Sequence, residues 1–101
     1  MNETDKMILF TNSLAQHGEM YEIRSDVSIS NHRGLKNHDN GGFFIGFLPE
    51  VAVMPHDELK GAVSQHAYRV IKVRMAVHEG LSYQTKAYCE KLRLGFGQDG
   101  D

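Results

Sequence analysis

The sequence predicts an α+β fold in which a small antiparallel sheet is covered by helices, in the order α-β-β-β-α-α. The chain has 101 residues, which is the size of one domain. Its 41% hydrophobic and 24% charged residues are typical of globular proteins. The spacing of apolar residues changes along the chain from helical to alternating and back. We therefore expect a single domain over residues 1–101, with a flexible tail at 95–101.

The N-terminal part predicts a helix, a strand and a loop. Residues 4–17 carry apolar side chains at helical spacing, and Gly18 follows as the expected stop. In residues 20–30 apolar and polar side chains alternate, which indicates a strand with one face in water. Residues 31–42 are rich in Asn, His, Asp and Gly, so we expect a long loop there.

The rest of the chain predicts two short strands followed by two helices. Residues 43–48 form an apolar run that is too short for a helix, and residues 51–54 form another short strand candidate. Residues 55–78 have the strongest helical pattern, because apolar side chains recur there at alternating four and three residues. Residues 82–94 predict a final helix, so the last two elements form a helical pair.

Charge and cysteine content limit the class of protein. The net charge is −2, but residues 1–54 carry −3 and residues 55–94 carry +3. An acidic whole disfavours general polyanion binding, whereas the basic half leaves room for a local nucleic-acid surface. The single cysteine, Cys89, excludes an internal disulfide, and no secretion signal or long apolar run is present. We expect a cytoplasmic protein without a membrane span.

The sequence contains none of the spacings typical of a catalytic or cofactor site. It has no phosphate-binding loop, no Gly-x-Ser-x-Gly and no closely spaced Cys or His pairs. Cys89 falls where a helix would bury a small residue, so we expect a structural thiol. We therefore expect a non-enzymatic protein with no catalytic residues, cofactor or metal. The alternative is a small metal-dependent enzyme that uses the loop residues His32, His38 and Asp39.

By elimination, we expect the protein to act by binding another macromolecule, in the first place a protein. A small regulator or inhibitor of the kind that phages and mobile elements encode fits this description. Its acidic N-terminal half would compete for the nucleic-acid site of a host protein. The expected contact residues are Glu19, Glu22, Asp26, His32, Arg33, Lys36, His38 and Asp39.

A DNA-binding regulator is the second hypothesis. Residues 76–85 have helix-turn-helix spacing, with Gly80 at the turn and Ser82 as a cap. The stretch 80–94 resembles the start of the recognition helix of MerR-type regulators. The resemblance implies a helix-turn-helix over residues 71–94. The side chains that would face DNA are Tyr83, Gln84, Lys86 and Lys91.

Two further interpretations concern the same C-terminal region. A plain helical hairpin with a glycine turn would produce the pattern of residues 76–94 without DNA binding. A homodimer formed through the long helix at 55–78 is compatible with each of the functions above.

Overall fold

The strands of this protein close into a barrel. The structure, a computed structural model, describes residues 3–92, so the tail expected at 95–101 lies outside the described residues. The elements are α1 (Glu3–His17), β1 (Glu19–Arg24), β2 (Ile29–Asp39), β3 (Gly42–Phe47), β4 (Glu58–Gly61), β5 (Ala67–His78) and β6 (Leu81–Lys91). The order around the barrel is β1-β2-β3-β6-β5-β4, and β4 pairs with β1 to close it. Within residues 3–92, no helix is long and apolar enough to span a membrane.

The prediction of an α+β domain with a helix-covered sheet is wrong, because both expected C-terminal helices are strands. β5 and β6 form one long hairpin around Glu79 and Gly80. These two residues have φ angles of 53° and 86°. Positive φ at both central residues is what a type I′ hairpin turn requires, and this turn matches the twist of paired strands. Within the described residues, the expected helix-turn-helix at 71–94 is therefore replaced by strands β5 and β6 and the turn between them. The long helix expected at 55–78, which was to form a dimer, is replaced by β4, β5 and the irregular chain before each of them.

Three of the elements predicted for the N-terminal half are present in the structure, the strand at 20–30 only in part. The helix expected at 4–17 is α1, and the strand expected at 43–48 is β3. The strand expected at 20–30 is β1 followed by a turn, in which the Ser25 amide donates to the Ser28 carbonyl at 2.9 Å.

Two other predictions for this half are wrong. Most of the loop expected at 31–42 is the eleven-residue strand β2. The strand expected at 51–54 is irregular chain, although it buries Val51 and Val53 in the core.

The barrel interior is the main hydrophobic core. Its largest fully buried side chains come from β1, β3, β4 and β5, namely Tyr21, Ile45, Phe47, Leu59 and Val70. β2 lines this core with Gly34, where an added Cβ would lie 2.7 to 2.9 Å from three core side chains. The absence of a side chain at Gly34 therefore lets the core pack directly against the backbone of β2.

The helix α1 packs on the outside of the barrel against β2 and β6. Phe10 and Leu14 are its buried residues. Arg33 on β2 donates from Nε to the Leu14 carbonyl at 3.0 Å and from a terminal nitrogen to the Ala15 carbonyl at 3.3 Å. Carbonyls in the last turn of a helix have no partner within the helix, and a cation there also favours the helix dipole. Arg33 therefore fastens the end of α1 to the barrel wall.

A β-bulge in β5 sets which side chains face outward. The register with β6 shifts between Val70 and Lys72, so Ile71 is the extra residue. Beyond the bulge, Val73 lies opposite Ala87, which belongs to the core. Because side chains alternate along a strand, Lys72 and its neighbours at even positions up to residue 76 face outward.

Candidate anion-binding surface

Three basic side chains lie next to one another on the outer wall of the barrel. Lys72 and Arg74 lie two residues apart on β5, and Lys86 on β6 lies directly opposite Arg74. We term these three residues the basic cluster. Like charges directly opposite each other on neighbouring strands repel and destabilise a sheet. An anion bound between Arg74 and Lys86 would relieve that repulsion.

Two aromatic rings form the floor of the basic cluster. The ammonium group of Lys72 lies 5.0 Å from the ring centroid of Tyr88, and that of Lys86 lies 4.9 Å from the ring centroid of Phe44. The two ring centroids are 5.4 Å apart. Attraction between a cation and an aromatic face restrains each ammonium group above its ring. The lysines of the cluster are therefore held in position on the wall.

Asp39, at the end of β2, supplies a counter-charge to the basic cluster. Its Oδ2 atom accepts hydrogen bonds from the Lys86 ammonium group and from the Tyr88 hydroxyl, both at 2.8 Å. The Gly41 amide donates to Oδ1 at 2.7 Å. The Lys86 ammonium group and the Tyr88 hydroxyl hold the pKa of Asp39 at about 2. The same carboxylate raises the pKa of Lys86, so both groups are charged at neutral pH.

The basic cluster keeps an excess of positive charge. Within residues 3–92, Lys72 and Arg74 make no ion pair, and the side chain of Arg74 is exposed. Among the residues that the structure describes, Asp39 is the one carboxylate paired with these three cations. This arrangement can bind an anion through charge and hydrogen bonding, and Arg74 offers the most accessible donors.

The residues expected to face DNA lie on β6, and the structure brings only one of them into the basic cluster. Lys86 is that residue. The amide of Gln84 folds onto Gly46 of β3 and fills the space that a Cβ there would need. The Tyr83 ring lies under the Lys6 ammonium group of α1, at 5.7 Å. Lys91 lies near the far end of β6, opposite Tyr68.

The acidic residues expected to contact a protein partner do not form one surface. The carboxylate of Glu19 accepts the amides of Val63 and Ser64 at 2.8 and 2.7 Å. Glu22 points to the other face of β1 and pairs with Arg24 at 2.9 Å.

The remaining residues of that expected set are spread along β2 and the turn before it. Asp26 lies in the turn between β1 and β2. Arg33 holds the end of α1, and Asp39 is engaged by Lys86. His32, Lys36 and His38 lie at intervals along β2. The structure therefore does not bring these residues together.

The histidines of β2 are too far apart to share a metal ion. A strand rises about 3.3 Å per residue, so His32 and His38 lie roughly 20 Å from each other. Within residues 3–92, no group of three or more His, Cys, Asp or Glu side chains lies close enough to hold a metal. The expected site of His32, His38 and Asp39 thus has no converging geometry.

Cys89 is a buried core residue, as the sequence predicts, although it lies on a strand. It is 6% exposed in the barrel interior, and burial raises the pKa of its thiol to about 12. A nucleophilic cysteine needs an accessible thiolate. Cys89 has neither the exposure nor the lowered pKa for that role.

Lys72 and Arg74 belong to the site although the sequence pattern does not single them out. On a helix, positions two residues apart point in different directions, so a helical prediction separates them. The alternation of Lys72, Val73, Arg74 and Met75 was the available signal, because it has the period of a half-buried strand. No protein-family model, curated protein or solved structure matches this chain.

Proposed function

We propose that this protein is a non-enzymatic, cytoplasmic binding protein whose basic cluster contacts the phosphate backbone of a nucleic acid. The observation that carries the proposal is the position of Arg74 directly opposite Lys86, with Lys72 beside them. Phosphate oxygens placed among these cations would offset their mutual repulsion. Arginine and lysine side chains supply much of the contact between proteins and nucleic-acid backbones.

A protein partner bound through an acidic surface has less support. That hypothesis needs Glu19, Glu22 and Asp26 on one face, and Glu19 is occupied by two backbone amides while Glu22 faces the other way. The basic cluster instead places three residues of like charge at neighbouring positions of β5 and β6. A regulatory protein that binds nucleic acid at this surface corresponds to the second hypothesis, with Lys72 and Arg74 joining Lys86 as contact residues in place of Tyr83, Gln84 and Lys91.

The size of the cluster limits the strength of binding. Three cations, one of them paired with Asp39, would contact about two or three phosphates. The net charge of −2 gives no long-range attraction to a polyanion. We therefore expect dissociation constants of about 10⁻⁴ to 10⁻⁶ M, the range of non-specific binding.

Fluorescence anisotropy with a labelled mixed-sequence duplex at about 50 and about 200 mM salt tests the proposal. We expect the logarithm of the binding constant to fall with the logarithm of salt with a slope of about −2 to −3, because each phosphate contact contributes about −0.9. Arg74→Gln and Lys72→Gln should each weaken binding and reduce the steepness by about one unit.

Lys60→Gln is the matched control, because Lys60 is exposed on β4, away from the cluster. It removes the same charge and should change binding less than either cluster variant. Absence of binding at low salt overturns the proposal, and so does an equal loss in Lys60→Gln.

Asp39→Asn should change the binding affinity in opposite directions for a nucleic-acid partner and for a protein partner. The substitution removes the negative charge that pairs with Lys86. A polyanion should then bind more tightly, whereas a basic protein that docks on Asp39 would bind more weakly. Asp26→Asn makes the same chemical change in the turn before β2 and should leave binding near that of the unmodified protein. Weaker duplex binding in Asp39→Asn, with the fold intact by circular dichroism, contradicts the proposal.

A further inference from the structure

We infer that the basic cluster takes the backbone of a duplex, without regard to sequence, and does not bind single strands by stacking their bases. This inference rests on the proposed function and names the class of nucleic acid that the same site would accept.

The aromatic rings of the site are not open to stacking by bases. Phe44 and Tyr88 are 3% and 5% exposed, and the ammonium groups of Lys86 and Lys72 lie over their faces. Proteins that bind single strands stack successive bases on exposed aromatic faces. Here each ring is part of the floor, and its accessible face is already covered by a cation. The cluster therefore offers charge to the backbone but no platform to the bases.

The amide side chains next to the cluster, a residue type that reads adenine edges, contact the protein itself. The amide of Gln84 lies against Gly46. The side-chain oxygen of Asn37, next to Phe44 in the sheet, accepts the His38 amide at 2.9 Å. The Gln84 amide and the Asn37 oxygen thus lie against the protein, which disfavours a bidentate contact with adenine. We therefore expect the cations to contact phosphates, which carry no sequence information.

The higher charge density of a duplex favours it over a single strand as the partner of the cluster. A duplex carries one negative charge per about 1.7 Å of its axis, twice the density of either strand alone. The basic cluster is small, and its two lysines are held in place by the rings beneath them. A small set of cations therefore has more phosphates within reach on a duplex than on a single strand.

The experiment compares three probes of equal length by anisotropy at about 50 mM salt. They are a duplex, one of its strands alone, and a single strand made of abasic sites. We expect the duplex to bind at least about threefold tighter than the strand, on account of its charge density. The abasic strand should compete as well as the strand with bases. Duplexes of unrelated sequence should agree within about twofold.

The outcomes separate this inference from the proposed function. If the base-containing strand binds as tightly as the duplex, or clearly better than the abasic strand, the inference is overturned while the proposed function stands. A strong preference among duplex sequences also overturns it. If no probe binds, the proposed function itself fails. Arg74→Gln should lower binding to all three probes, which shows that each signal comes from the cluster.

Discussion

Tyr88 and Asp39 are joined by a hydrogen bond of 2.8 Å from the phenolic hydroxyl to the carboxylate Oδ2. The two residues lie on β6 and β2, which are separated in the barrel by β3. The bond therefore crosses a whole strand and fastens the turn after β2 to the outer wall. Lys86 donates to the same carboxylate oxygen, so the contact is both structural and part of the basic cluster.

Asp39→Asn should make the stability of the protein less sensitive to acid. The pKa of Asp39 is about 2 in the folded protein, below its ordinary value of 3.8, because Lys86 and Tyr88 donate to the carboxylate. A depressed folded pKa stabilises the protein above the unfolded pKa, and that stabilisation is lost as the pH falls through the folded value. Urea unfolding at neutral pH and at about pH 3 should show that the free energy of unfolding falls less for the variant than for the unmodified protein. Asp26→Asn is the control. An unchanged pH dependence of stability in Asp39→Asn would contradict the lowered pKa of Asp39 in the folded protein.

Gly34→Ala should destabilise the protein by about 1–3 kcal/mol, the usual result of overfilling a packed core. A Cβ on Gly34 would lie 2.7 Å from Ile45, 2.8 Å from Phe47 and 2.9 Å from Tyr21. These side chains are fully buried and cannot move into solvent. Thermal and urea unfolding measure the effect, with Asn31→Ala at an exposed position of the same strand as control. Equal stability of the two variants would show that the core has room at Gly34.

Glu79→Asn should stabilise the β5–β6 hairpin by about 0.5–1 kcal/mol, because asparagine tolerates the left-handed conformation better than glutamate. Glu79 has a φ angle of 53° at the first position of the turn. Glu79→Gln is the matched control, since it also removes the weak contact with His78 at 3.8 Å but has no preference for positive φ. Urea unfolding should rank the Asn variant above the Gln variant. The reverse order would exclude the type I′ conformation in solution.

Cys89 should not react with a thiol reagent such as DTNB in the folded protein. Burial leaves the side chain 6% exposed and raises its pKa to about 12, so thiolate is scarce and inaccessible at neutral pH. One equivalent of thiol should appear when the protein is unfolded in guanidinium chloride. Ser82→Cys, at an exposed position of β6, supplies a thiol that reacts at once. Rapid reaction of Cys89 under native conditions would contradict its place in the core.

The sequence patterns are predictive where an element keeps one uninterrupted period. α1 was predicted from helical spacing, and its buried Phe10 and Leu14 lie one turn apart. β1 was predicted from alternation, and Tyr21 and Ile23 both face the core. β3 was predicted because its apolar run is too short to make a helix.

The prediction of two helices in the C-terminal half is wrong because a β-bulge interrupts the alternating pattern of the strand. Val70 and Val73 both face the core although they lie three residues apart, since Ile71 is inserted between them. Together with Val77 they give spacings of three and four, which are also the spacings of a helical stripe. The density of β-branched residues there favours a strand, because their side chains are restricted in a helix.

The candidate site could be predicted only in part. Lys86 was singled out, but as part of a recognition helix, whereas the structure places it on a strand. Its partners come from strands that are distant in sequence, and Asp39 is 47 residues away. Which residues meet across strands depends on register, and a shift of one residue would turn each side chain to the other face. Local sequence patterns do not specify the register between β5 and β6 or the strand order that brings β2 near them.

The strand order also determines how this chain must fold. The hairpins β1–β2, β2–β3 and β5–β6 pair neighbours in the sequence and can form early. Two long-range pairings, β1 with β4 and β3 with β6, join the first three strands to the last three. The contact of Phe44 with Tyr88 belongs to the second pairing. Closing such long loops is entropically unfavourable before burial compensates, and non-local pairing of this kind slows folding. We therefore expect the pairing of the two preformed sheets to limit the folding rate, and a barrel left open between β3 and β6 to be the species most exposed to aggregation.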